Sequence, residues 1–477
     1  MRLATVFILA TVLPAAVYGA KDWLQWRGPN SAGIAEESNL PTEFGPNKNV
    51  VWRTALPPGH SSPVLAGDRI FLTAFEGDKL LTFCLDRNTG KILWRREAPR
   101  PRTQELHKAN SPASPSPVSD GKNAYVFFTD YGLLAYGPDG NELWRTAMGP
   151  FNNPFGMGAS PVLAGDILLQ ACDSESGSFF AAFDKKTGKQ LWRAERPDYS
   201  RGFSTPVLFQ PKGGGPLQAV LAGSYQLTSY DVKTGKEVWW YRGLTWQLKP
   251  TPVFSPNKDY VYILGWAGGS DTGQQESIPN FEDVLKLWDK NSDGKLAKAE
   301  IPDAKITKDW TAIDLDRDDA VGLRDWKLYQ SRRAAQNTFQ AVKLPPNPKG
   351  DITEGARVWA YTKSLPNVPS PLFYDNVLYL MKEGGILTTL DPTDGSVLKQ
   401  GRLQGALSLY FSSPVAADGK IYVTSEAGNS VVLKAGREWE ILQVNDLGEE
   451  VHATPAIVDG KIYLRTHAAL YCFAKKD

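Results

Sequence analysis

Short runs in which apolar and polar residues alternate recur along nearly the whole chain, and one kind of punctuation separates them. Each unit opens on Ser or Thr, then Pro and an apolar residue. It runs through a turn into an alternating strand and closes on Asp-x-x-Thr-Gly-Lys-x-x-Trp or a shortened form. The openings fall at Pro63, Pro117, Pro161, Pro206, Pro252, Pro371, Pro414 and Pro455, which predicts eight units. They are 41 to 54 residues apart except between Pro252 and Pro371, a spacing in the range of propeller blades.

The closings read Asp86-Arg-Asn-Thr-Gly-Lys-Ile-Leu-Trp94, Asp184-Lys-Lys-Thr-Gly-Lys-Gln-Leu-Trp192 and Asp231-Val-Lys-Thr-Gly-Lys-Glu-Val-Trp239, with shorter forms at Pro138–Trp144 and Asp391–Leu398. Each places Gly where a hairpin needs positive φ, then an alternating strand. The Trp is expected between adjacent blades, where a flat indole fills the gap and its N–H finds a carbonyl. Four strands repeated eight times exceed an ordinary open sheet, and radial closure removes the exposed edges. The expected fold is therefore all-β, an eight-bladed β-propeller. The last unit stops before any closing strand, whereas a spare strand, Asn49-Val-Val-Trp-Arg-Thr-Ala55, precedes the first. It is expected to complete the eighth blade and clasp the ring.

In the long interval the period changes from two to that of a helix. Phe281, Val284, Leu285 and Trp288 fall at i, i+3, i+4 and i+7, one face of an amphipathic helix. Immediately afterwards Asp289, Asn291 and Asp293 stand at positions 1, 3 and 5 of a loop, with Gly294 at 6, Lys295 at 7, Leu296 at 8 and Glu300 at 12. This is the EF-hand spacing, in which alternate oxygens surround a calcium ion, position 7 offers its carbonyl and the terminal Glu binds through both oxygens. A second loop holds Asp314, Asp316, Asp318, Ala320 and Asp325 in the same places, preceded by Trp310 and Ile313. Asp319 replaces the turn Gly and Asp325 the longer Glu, so weaker calcium binding is expected there. Val321 matches Leu296, and the two are expected to pair. The chain thus divides into 1–20 (export signal), 21–266 (clasp strand and the blades to the start of the fifth), 267–336 (a small α-helical EF-hand-like insertion) and 337–477 (the remaining blades).

Composition changes the picture little. Hydrophobic residues at 42% are ample for a packed core, and a formal charge of +1 gives no reason to expect nucleic acid or an anionic membrane as partner. Arg2, the apolar run Leu3–Val17 and small residues at Gly19 and Ala20 read as a cleaved secretory signal. No later stretch is long and apolar enough to span a membrane. The expected location is periplasmic or secreted. Cys84, Cys172 and Cys472 read as buried small hydrophobes, with a Cys84–Cys472 bridge left open. His60 and His452 each stand just before an opening, near one mouth of the funnel, where a substrate role competes with hydrogen bonding inside a connecting loop. Trp246 and Tyr410 compete likewise between sugar stacking and blade packing. Gly213–Gly215 reads as a hairpin tip, because no Lys-Ser/Thr follows as a phosphate loop needs.

The Trp-bearing repeats, with Asp22-Trp-Leu-Gln-Trp-Arg-Gly-Pro-Asn30, Gly59-His-Ser-Ser-Pro-Val64, Lys382-Glu-Gly-Gly385 and His452-Ala-Thr-Pro455, resemble the pyrroloquinoline-quinone-type (PQQ-like) propeller family. That repeat occurs in quinoprotein dehydrogenases and in the propeller lipoprotein of the outer-membrane protein assembly machine. The dehydrogenase branch implies a quinone on the axis beside a calcium ion, an Asp base and a vicinal disulfide. This chain has no adjacent cysteines, and the branch's axial Asn, Glu and Asp ligands match no motif here. The expectation is a calcium-binding, non-catalytic binding or scaffolding propeller for an envelope protein or glycan, with no catalytic residues assigned. The alternative is a PQQ-dependent dehydrogenase of alcohols or sugars.

Overall fold

The Asp-x-x-Thr-Gly closings are tight turns held by their own side chains. Asp86 Oδ1 accepts from the N–H groups of Asn88 and Thr89 at 3.0 and 2.8 Å and from Thr89 Oγ1 at 2.8 Å. Asp184 repeats the pattern. Gly90 and Gly188 then take φ of 72° and 70°, a left-handed conformation that side chains with a Cβ resist. Each turn leads into the outermost strand of a blade.

A computed structural model describes residues 22–268, 271, 275–308 and 310–476, and the expected export signal lies outside them. Eight antiparallel sheets radiate from one axis. Blades 1 to 4 span Val64–Ala98, Val118–Ala147, Val162–Glu195 and Val207–Arg242. Blade 5 starts at Val253–Phe254 and Tyr260–Gly265 and resumes at Thr338–Lys343 and Arg357–Tyr361. Blades 6 and 7 span Leu372–Arg402 and Val415–Asp446. Blade 8 joins Ala456–Val458, Lys461–Arg465 and Ala469–Ala474 to the clasp, Val50–Ala55, which lies antiparallel on Ala469–Phe473. The ring is closed by its own two ends, as the strand pattern predicts.

Two repeated devices lock neighbouring blades. At the rim, the closing Trp of one blade lies on the turn Gly of the next and donates to a carbonyl there. Trp52 Nε1 reaches Arg87 O at 3.0 Å, Trp94 reaches Pro138 O at 2.9 Å, Trp144 reaches Lys185 O at 2.8 Å, Trp192 reaches Val232 O at 2.9 Å and Trp359 reaches Pro392 O at 3.1 Å. A Cβ on Gly90 would stand 2.5 Å from Trp52 Cε3, so the turn needs Gly for contact as well as for φ. Trp239 breaks the series. Its N–H turns back to Gln218 of its own blade, and Gly350–Asp351 pairs in parallel with Trp239–Trp240 instead.

At the axis the opening hydroxyls form a closed ring. Ser62 N donates to Ser116 Oγ at 2.8 Å and Ser116 N to Ser160 Oγ at 3.0 Å. The relay continues through Thr205, Thr251, Ser370 and Ser413 to Thr454, whose N–H returns to Ser62 Oγ at 2.9 Å. The Ser/Thr-Pro motif follows from this. The hydroxyl supplies an acceptor that buried backbone would otherwise lack, and Pro holds the preceding residue extended.

Residues 22–44 run across one face of the ring. Trp23 bridges to Leu65, Leu24 O accepts from Ser119 N, Asn30 exchanges two hydrogen bonds with Leu208, and Ala35 N donates to Ala416 O. Arg27 is fully buried and donates to Pro371 O at 2.9 Å. This segment forms a floor beneath the axis. The three cysteines are buried and unbridged.

Candidate functional site: the axial cavity and the inserted acidic loops

Above the floor lies a cavity of about 480 Å³ whose wall is drawn from all eight blades. Its lining is set by one sequence position, the residue two before each opening Ser or Thr. Around the ring these are His60, Ser114, Gly158 and Phe203, then Lys249, Val368, Phe411 and His452. Trp26 forms the base, and Phe155, Trp246 and Trp266 add further aromatic surface. Of the two aromatics singled out from sequence, Trp246 faces the cavity, whereas Tyr410 is buried and donates to Ala406 O at 2.6 Å.

His60 and His452 stack at 3.9 Å, and Phe411 stacks on the other side of His452 at 4.9 Å. Burial first, then the neighbouring His452, pushes His60 down to about 2, so it is neutral at physiological pH. Burial lowers His452 as well. Glu426 is 3.6 Å from its Nε2. Lys249 carries the cavity's cation: Nζ is held by Asn367 Oδ1 and lies 4.5 Å from the Trp266 ring centre. Burial pushes it down to about 8, which leaves the amine protonated at pH 7. Among the described residues, no Asp or Glu lines the cavity. Two buried arginines stand close by: Arg465, whose charge acts on His60, and Arg27, against the Trp26 ring at 5.6 Å. Arg465 donates to Ser61 Oγ at 2.7 Å and Thr73 O at 2.6 Å. Among the described residues neither arginine has a carboxylate at ion-pair distance, and burial pushes both down to about 9.

Between the two halves of blade 5 stand α1 (Phe281–Trp288), α2 (Ala304–Lys308) and α3 (Leu323–Ala334). Phe281, Val284, Ile313 and Trp326 pack into a small core of their own, and Leu296 pairs with Val321 across a two-residue ladder. The two acidic loops share one backbone course. Ser292 and Arg317 at position 4 have φ of 60° and 61°, and Gly294 and Asp319 at position 6 have φ of 82° and 63°. The structure gathers the oxygens of Asp314, Asp316 and Asp318 within 4.8 Å of one another. In the first loop the carboxylates spread over loop N–H groups. Asp289 accepts from Ser292 at 2.7 Å and Gly294 at 3.0 Å, Glu300 accepts from Lys290 and Ala297 at 2.9 Å each, and Asp293 accepts from Asn291 Nδ2 at 2.9 Å. Lys295 Nζ crosses to Asp318. Asp325 is buried, accepts from Gly322 N at 3.1 Å, and is raised to about 6 by burial. Ala320 lies in the ladder opposite Ala297.

The insertion is docked on blades 2 to 4. Asn152 Nδ2 donates to Leu315 O at 2.7 Å, inside the second loop, and Arg324 donates to Pro197 O and Glu175 O at 2.7 and 3.0 Å. Tyr225 OH donates to Leu328 O at 3.1 Å, and the Arg332 guanidinium stands 5.5 Å from the Trp246 ring centre. The helical module therefore braces an aromatic of the cavity wall.

Sequence reasoning picked out the two histidines and Trp246, and missed Lys249, Asn367, Trp26 and Trp266. Lys249 was within reach, because it stands in the same register before Thr251-Pro252 as His60 before Ser62-Pro63. Asn367 and the remaining tryptophans follow no repeat position.

The ring, its floored cavity and the rim tryptophans define an eight-bladed propeller of PQQ-like repeats with an axial cavity. The family model described as outer membrane protein assembly factor BamB matches residues 45–154, 175–263 and 333–477, and the chain belongs to that family. No curated protein matches the chain by sequence. Among solved structures it is similar to BamB from Moraxella catarrhalis, at 11% identity and TM-score 0.52 over 88% of this chain and 100% of that one. It is also similar to a quinohemoprotein alcohol dehydrogenase from Comamonas testosteroni, at 13% identity and TM-score 0.55 over 96% and 81%. The computationally designed Ika8 protein gives 11% identity and TM-score 0.53 over 90% and 99%. These likenesses share the ring. Among the described residues no helix is long and apolar enough to cross a membrane.

Proposed function

We propose that this protein is an exported, non-catalytic binding propeller that takes an envelope protein or a glycan at its axial cavity and carries calcium in its insertion. One observation carries the reading. The cavity is walled by aromatic faces and hydroxyls, and of its three histidines His60 and His452 stack on each other and on Phe411 while His107 lies tilted against Phe155 at 5.3 Å, instead of forming a nucleophile–base pair. Such a surface recognises by stacking and hydrogen bonding. Membership of a family described as an outer membrane protein assembly factor supports a place in the envelope and a protein partner. Pull-down from envelope extract and a glycan array test it. Retention of neither protein nor glycan by the intact chain would remove the proposal.

The dehydrogenase alternative meets a misfit. The aromatic walls and Lys249 suit a flat anion, but the described lining offers no carboxylate to hold the calcium that accompanies the quinone in that branch. No step through a quinone is therefore derived.

Calcium binding in the insertion is supported by the repeated loop course, the Leu296–Val321 pairing and the convergence of Asp314, Asp316 and Asp318. Asp289, Asn291, Asp293, the Lys295 carbonyl and Glu300 would hold one ion. Asp314, Asp316, Asp318, the Ala320 carbonyl and Asp325 would hold the other. The ion would act as a staple for a module whose core is small. Calorimetry of the parent against Asp289→Ala/Glu300→Ala and Asp314→Ala/Asp318→Ala checks each loop, and unchanged calcium heat in a variant refutes its site.

A further inference from the structure

The axial cavity has an electrostatic bias that its shape alone does not reveal. Each hydroxyl oxygen of the axial ring accepts a backbone N–H, and apart from Thr251, which donates to Thr205 O at 3.4 Å, the ring hydroxyls find no acceptor among the described residues, so each keeps an O–H to donate. Seven of those eight residues, all but Thr251, line a cavity whose single charged lining side chain among the described residues is Lys249. Arg27 within the floor and Arg465 behind His60 add buried positive charge that, among the described residues, no carboxylate offsets. The acids that act on these groups, Glu383 near Lys249 and Glu426 and Glu450 near His452, are not among the lining residues. Buried charge without a partner is costly, and an incoming anion removes that cost while making charge-assisted hydrogen bonds.

The remaining wall is aromatic. Trp26 at the base and Phe155, Phe203, Trp246 and Trp266 at the sides present flat apolar surface, as the C–H faces of a pyranose require. Asn110 and the ring hydroxyls offer polar groups to its hydroxyls. A volume of about 480 Å³ suits one or two sugar rings.

We propose that the axial cavity binds an acidic saccharide, its ring on the aromatic wall and its carboxylate or sulfate on Lys249 and the ring of hydroxyl donors. The inference rests on the reading of the protein as a non-catalytic binding propeller and narrows its ligand. The anion would displace or share Asn367 as the partner of Nζ, so the amine changes partner without being stripped of one.

The test titrates the full chain in calcium, by calorimetry and tryptophan fluorescence, with methyl glucoside, methyl glucuronoside and methyl glucoside 6-sulfate, and with pyrroloquinoline quinone as a fourth probe. The expected result is at least about tenfold tighter binding of one or both acidic sugars than of the neutral one. The two acidic arms distinguish carboxylate from sulfate. Lys249→Met should bring the acidic sugars to the neutral level, while Lys249→Arg retains most of the preference and shows that the fold survives change at this position. Equal binding of all three sugars, or an acidic preference that persists in Lys249→Met, overturns the inference but leaves glycan binding standing. Binding of no sugar, with capture of an envelope protein or of the quinone instead, overturns it and directs the binding reading elsewhere.

Discussion

Replacing Gly90 by Ala tests the rim interlock at the point where the chain's two ends meet. Two costs add. The turn holds φ at +72°, and a left-handed backbone costs a residue with a Cβ about 1 kcal/mol. The new Cβ would also stand 2.5 Å from Trp52 Cε3 and 2.7 Å from Thr54 Oγ1. Trp52 is pinned by its hydrogen bond to Arg87 O at 3.0 Å and lies in the clasp strand, so it must be pushed out, an overpacking cost of about 1–3 kcal/mol. Gly90→Ala should therefore lose about 2–4 kcal/mol. Gly165→Ala is the control, because Gly165 has φ of +65° and nothing within 4 Å of an added Cβ. It should lose only the backbone part, about 1 kcal/mol. Urea unfolding followed by tryptophan fluorescence, with the slope checked for constancy, gives both numbers. A double-mutant cycle closes the argument: in a Trp52→Ala background the cost of Gly90→Ala should fall toward that of the control, leaving only the contact with Thr54 Oγ1 at 2.7 Å. Equal losses for Gly90→Ala and Gly165→Ala would refute the tight seat, as would a cycle with no coupling.

At the axis, Ser413→Ala leaves the buried Ser370 N–H without its acceptor and should cost about 1–2 kcal/mol. Ser413→Thr should restore it, and faster amide exchange at residue 370 locates the effect. The pH dependence has a defined sign. His60 is held far below its unfolded value, so the unfolded chain takes up a proton that the folded chain refuses, and stability present above pH 6.5 is lost as pH falls. Between pH 6.5 and 5.5 this amounts to about 1 kcal/mol. The slope should flatten in His60→Gln, and an unchanged slope would mean that the imidazole titrates freely in the fold. In the insertion, Asp319→Gly relieves a φ of 63° and should stabilise by roughly 0.5–1 kcal/mol while tightening calcium at the second loop, both read from calcium titrations followed by urea unfolding.

The ring was legible because its devices repeat. A Pro that recurs with a hydroxyl before it, and a Thr-Gly followed by Trp, each report a contact made several times over, and contacts made many times leave periodic residues. The missing closing strand at one end and the spare strand at the other gave the clasp for the same reason. The cavity was far less legible. Its wall comes from one register position, yet the residues there (His, Ser, Gly, Phe, Lys, Val, Phe and His) share no chemistry, because each faces a different part of one asymmetric space. Lys249 looks like an ordinary surface lysine until the ring brings Asn367, far away in sequence, to its amine. Trp239 shows the converse. Its sequence matches the repeat, but the strand at Gly350–Asp351 takes the place where its neighbour's turn would have met it.

The floor under the axis imposes an order on assembly. Arg27 precedes Pro371 by 344 residues and Ala35 lies far ahead of Ala416, so neither contact exists until the late blades are present. The segment is thus seated in two stages, Trp23 and Leu24 against the early Leu65 and Ser119, and Arg27 and Ala35 only after the late blades have taken shape. Until then the Arg27 guanidinium stays hydrated and the axial cavity lacks its floor.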